Sequence, residues 1–154
     1  MDAKDIKSLI AAREFISVAT CDLDGRPNAA PKLLPKVQED YIYLVDYIIG
    51  RTFRNLSFNP RASLSFMDNN SLTGYQVNGK VTIVDSGEEY EDILKQLQQK
   101  KIDLSIKRVI EGVESGKGHK NFEVTIPEQF VILKLKIEEL VEMSAQGTLC
   151  RERV

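Results

Sequence analysis

The chain has 154 residues, about the length of one domain. Its 21 Lys+Arg against 23 Asp+Glu leave a net charge of −2, too weak a field for a dedicated nucleic-acid or anionic-lipid binder. The apolar runs are short, the start MDAKDIKSLI is not a secretory signal, and Cys21 and Cys150 stand alone at opposite ends. Membrane spans, disulfide frameworks and cysteine metal sites are therefore not expected, and a reduced, cytoplasmic setting is.

Ile6, Leu9, Ile10 and Arg13 recur at helical spacing, so the chain opens on a short amphipathic helix that covers a sheet. From Phe15 the character changes. FISVATC reads as a strand, Asp24-Gly25 as a tight hairpin turn, and RPNAAPKLL as a second strand. Pro27 and Pro31 lack ladder donors, which puts that strand at an edge, at a bulge, or where its backbone faces a ligand. YIYLVD is a third strand, and a short helix over Arg51 to Phe58 ends at Asn59-Pro60.

RASLSFMD, a turn at Asn69-Asn70 and GYQVNGKVTIVD supply two more strands. Ser86 and Glu89 have the spacing of a capping box before a helix striped with Tyr90, Ile93, Leu94 and Leu97. DLSIKRVIEGV extends the helical pattern, ESGKGHKN reads as a polar loop, and FVILKLKIEELVEM as a long closing strand. The predicted fold is α+β, a six-stranded antiparallel barrel with peripheral helices in one domain over residues 1–154.

Two motifs fail on chemistry. In GVESGKGHK, Gly112 and Gly116 are too close for a phosphate loop, and Gly118 stands where a magnesium-binding hydroxyl belongs. His119 is the only histidine, which excludes a histidine metal cluster; a surface loop residue is expected there. IIGRTFRNL is more informative. Gly50 lets the backbone turn closely, and Arg51 and Thr52 place a guanidinium and a hydroxyl beside the free N–H groups of a starting helix. The same residues also fit an ordinary helix start with Phe53, Leu56 and Phe58 packed inward.

The order of SVATCDLDGRPNAAPKLLP, YIYLVD, GRTFRNLSFNPRASLSF, GYQVNGKVTI and FVILKLKIEEL resembles the FMN-binding split β-barrel family that includes pyridoxamine 5′-phosphate oxidase. The resemblance runs from Phe15 to about Leu140. It implies a split barrel whose second strand lays its backbone along FMN at Asn28, Ala29, Ala30, Pro31 and Lys32. It also implies that Asp46, Tyr47, Arg51, Thr52 and Asn55 hold the ribityl phosphate. Chemistry agrees: Arg51, the Thr52 hydroxyl and helix-end amides suit a phosphate dianion, and small Ala29 and Ala30 leave room for a flat ring. Lys32 reads either as a stabiliser of the anionic reduced flavin or as an exposed edge-strand lysine.

The chain departs from true pyridoxamine 5′-phosphate oxidases in two places. Pro27, with Arg26 just before it, stands at the strand start where they resemble one another in an arginine, and GTLCRERV lacks their arginine-rich C-terminal motif. Vitamin B6 oxidation is thus not expected. The resemblance implies a homodimer with the flavin in the groove between barrels, a second wall coming from the Tyr75 strand and the C-terminal segment. The function expected is an FMN-dependent oxidoreductase acting on an unidentified small substrate, with no side-chain nucleophile. The alternative is a flavin-binding, sensing or electron-carrier protein without turnover.

Overall fold

The structure is a computed structural model that describes residues 3–47, 49–116 and 129–154. Helix α1 (Ala3–Ala11) leads into β1 (Phe15–Cys21), β2 (Pro27–Gln38) and β3 (Tyr41–Asp46). Helix α2 (Arg51–Phe58) precedes β4 (Arg61–Asp68) and β5 (Thr73–Val84); α3 (Glu88–Ser115), β6 (Val131–Met143) and β7 (Leu149–Arg153) follow. His119 and the loop expected around it lie outside the described residues.

All pairings are antiparallel, in the order β3-β2-β1-β4-β5-β6-β7, and β3 also pairs with β6. That last contact closes the first six strands into the expected barrel. Strand β6 is long enough to do two things: residues 131–136 face β3, and residues 139–143 carry β7 on the same flank. β7 is a seventh strand beyond the expected six. Its five residues are all exposed, so the alternation that betrays a half-buried strand is missing from its sequence.

Period-2 alternation sends Ile16, Val18, Leu64, Val77, Leu133, Leu135 and Ile137 into the barrel, where α1 adds Ile6 and Ile10 and α2 adds Leu56. β3 is buried along nearly its whole length because both its faces are covered. Ile42 and Leu44 point into that core, whereas Tyr43 and Val45 lie under Ile93 and Leu97 of α3. The stripe read from the sequence is therefore the docking face of α3.

Helix α3 starts differently from the expectation. Its N-cap is Gly87 at φ 95°, with no side-chain cap, so the Ser86–Glu89 box does not form. Glu89 is drawn to the barrel instead, where its Oε1 accepts hydrogen bonds from Lys134 Nζ at 2.6 Å and Tyr43 Oη at 2.8 Å. Lys36 pairs with Asp92 at 2.9 Å beside them. The helical pattern over DLSIKRVIEGV is continuous with the first part, and the helix ends at Gly116 in the left-handed conformation. No helix among the described residues is long and apolar enough to cross a membrane.

The β1–β2 turn is built around Asp22. Its Oδ1 accepts from the backbone N–H of Asp24 and Arg26, and Gly25 takes φ 81° as the left-handed residue of the turn. After β4, Asp68 plays the same part for Asn70 and Ser71.

Candidate functional site

The barrel is split between β2 and β3. Their pairing runs from Gln38 to Leu33 with a bulge before Lys36, and Pro27 to Lys32 have no strand partner on that flank among the described residues. Asp22 donates to the Arg26 carbonyl at one end of the β1–β2 ladder, and Leu34 donates to Glu14 at the other. Alternation between those fixed points turns the backbone of Asn28, Ala30 and Lys32 toward β1 and that of Pro27, Ala29 and Pro31 toward the opening. The two prolines thus sit where no ladder donor is required.

At the top of the opening, where the strands part, Lys32 Nζ donates to Asp46 Oδ1 at 2.6 Å. Both residues are buried, Asp46 completely, so Lys32 is not an exposed edge lysine. The other carboxylate oxygen, Asp46 Oδ2, is buried without a hydrogen-bond partner among the described residues. An unpaired carboxylate oxygen in a dry setting is costly unless a donor meets it.

At the other end lies the start of α2. Its N-cap, Gly50, supplies no side-chain bond, so the first N–H groups are left for another acceptor. Arg51 is exposed beside them, and Thr52 is buried with its hydroxyl accepting from Asn28 Nδ2 at 3.1 Å. Asn55 turns inward and donates to Thr20 Oγ1 at 3.1 Å. These two bonds hold α2 against β1 and β2. The helix is only partly as expected: Leu56 is buried and Phe53 half-buried, but Phe58 is 67% exposed and does not pack inward.

Asn28, Ala30, Pro31, Lys32, Asp46, Tyr47, Arg51 and Thr52 line one cavity of about 280 Å³, together with Val45 and Gly50. Two residues expected in the site stand apart from it. The Ala29 side chain lies on the exposed outer face, leaving its backbone to the opening, and Asn55 lines a neighbouring basin. That basin, about 380 Å³, shares Asn28 and Arg51 with the first and adds Leu23, Arg26, Arg54 and Phe58, none of them placed in the site from the sequence. Their signal was present in part, since Arg51, Arg54 and Phe58 share one helical face.

The donors and acceptors fit FMN. A phosphate dianion suits Arg51 and the uncapped helix start, whereas Asp46, expected at the phosphate, stands with Lys32 at the far end of the opening, where its Oδ2 is an acceptor for a ring N–H. The opening also offers the Ala29 N–H and the Pro27, Ala29 and Pro31 carbonyls to a polar ring edge.

A family model described as pyridoxamine 5′-phosphate oxidase matches residues 3–143. Over 64 residues, 42% of this chain, the sequence is 34% identical to the heme oxygenase HutZ of Vibrio cholerae, and the match spans only 36% of that relative. The fold is similar to that of HupZ from Group A Streptococcus, with a TM-score of 0.68 at 20% identity over 97% of this chain and 99% of that one. It is also similar to a pyridoxamine 5′-phosphate oxidase-related, FMN-binding protein of Nostoc punctiforme, with a TM-score of 0.54 at 15% identity over 96% and 90% of the two chains. With its closed six-strand barrel and a family match over nearly its whole length, the chain belongs to the pyridoxamine 5′-phosphate oxidase family.

Proposed function

We propose that the chain binds FMN in the β2–β3 opening and works as an FMN-dependent oxidoreductase on a small substrate. The observation that carries this reading is the opening itself: one continuous crevice with unpaired strand backbone along its side, an unpartnered buried carboxylate oxygen at the top and an uncapped helix start with Arg51 at the bottom. The bound flavin supplies two-electron chemistry that no side chain here offers. Arg51 and the α2 N–H groups hold the phosphate, while the β2 backbone and Asp46 orient the ring. Lys32 sits at the ring end with its charge offset by Asp46, so the pair presents a fixed dipole where a lone ammonium would present a net charge.

Two copies pair in this reading, each closing the other's crevice. Met67, Met143 and Leu149, at 51%, 37% and 54% exposure, align across Gly74 in one cross-strand row on the outer face, an apolar surface suited to a second copy.

The test is titration of the purified, ligand-stripped chain with FMN, followed by flavin fluorescence. Saturable binding that Arg51→Ala weakens supports the site; absence of binding overturns it. A second reading, heme binding, is favoured by the likeness to HutZ. Among the crevice residues Tyr47 is of a type that ligates heme iron. Hemin titration separates the two: a Soret band shifted by the protein, with no uptake of FMN, would replace the flavin by heme.

A further inference from the structure

The crevice does not end where FMN would. We propose that the site, besides FMN, also accepts a flavin extended beyond its phosphate, a dinucleotide of the FAD type, with the nucleotide half in the second basin. This rests on the flavin reading above.

Arg51 lines both cavities. A phosphate anchored there stands on the boundary between them, so only a group esterified to that phosphate reaches the second basin. FMN leaves that basin without a ligand. Its lining has the parts a nucleotide needs. Arg54 lies one helical turn from Arg51, and Arg26 faces them from the β1–β2 hairpin. None of these three guanidinium groups has an ion-pair partner among the described residues, which leaves them free to neutralise a diphosphate.

Phe58, another turn along α2, and Leu23 at the hairpin tip are 67% and 75% exposed, and both line the basin. Two apolar side chains open to solvent on opposite banks of a basic slot suit a flat base. Acidic groups are present too. Asp22 spends Oδ1 on the Asp24 and Arg26 N–H groups, and Asp24 lines the basin. A carboxylate there suits the free hydroxyls of a ribose and disfavours a 2′-phosphate.

The test is calorimetric titration of the ligand-stripped full chain with riboflavin, FMN and FAD in turn. FAD should bind tighter than FMN by about tenfold or more. Arg54→Ala and Phe58→Ala should each erase that preference by weakening FAD while leaving FMN unchanged, with parental melting curves as the control for folding. Equal or tighter binding of FMN by the parent chain overturns the proposal, as does an equal loss for both ligands in the variants. If none of the three flavins binds, the flavin reading itself falls, a result distinct from FMN binding without a gain for FAD.

Discussion

Lys32 Nζ and Asp46 Oδ1 stand 2.6 Å apart with their side chains 7% and 0% exposed, bridging β2 and β3 at the point where the strands separate. Neither charge has bulk water to fall back on. Asp46→Asn or Lys32→Met is therefore expected to cost about 3–5 kcal/mol, because the remaining partner stays buried alone. The double variant Lys32→Met/Asp46→Leu should recover most of the loss in urea unfolding. Single variants as stable as the parent would show that the two groups are not coupled.

Arg51 is exposed, so its truncation should leave the fold intact and act on the ligand alone. Arg51→Ala is expected to weaken FMN by about 1.5–3 kcal/mol, the worth of a charged hydrogen bond. Riboflavin, which lacks the phosphate, should bind the parent and the variant alike. An unchanged FMN affinity would remove Arg51 from the phosphate end.

Gly79 marks the bulge where β5 and β6 shift register. A Cβ there would lie 2.1 Å from the Lys136 carbonyl oxygen and 2.8 Å from Leu135 Cδ2. Backbone cannot yield as a side-chain tip does, so Gly79→Ala should destabilise by about 3 kcal/mol or more. A melting temperature equal to the parent's would contradict this close approach.

The contact between α3 and the barrel should respond to acid. The Lys134 ammonium, with help from the Tyr43 hydroxyl, holds the Glu89 carboxyl below its ordinary value of 4.5. A depressed carboxyl lends stability that is complete above its unfolded value and is lost as pH falls through its folded one. Stability is thus expected to decline below about pH 4.5, and Glu89→Gln should lessen that decline. The effect should stay below about 1 kcal/mol because Glu89 is 38% exposed. An unchanged acid limb in Glu89→Gln would place the titration elsewhere.

The strands of the barrel and the opening were legible in the sequence, for a common reason. Alternation at Ile16 and Val18, or at Leu133, Leu135 and Ile137, is set by which face is buried, and Pro27 and Pro31 announce a flank without a ladder. What escaped depends on partners distant in sequence. Lys32 reads equally as a flavin-side or an edge lysine until β3 brings Asp46 to it, and Glu89 looks like a cap until β3 and β6 bring Tyr43 and Lys134. Phe58 follows the apolar habit of its helix yet remains in solvent, and β7 has no buried face to betray it.

An unzipped strand flank usually invites a stranger, since bare N–H and C=O groups are a template for aggregation. Between Pro27 and Lys32, however, Ala29 carries the only N–H directed outward on that side, because its two neighbours in phase are prolines. An intruding strand would find acceptors but almost no donors, and could not build a ladder. The protein can keep this seam permanently ajar without becoming sticky toward other chains.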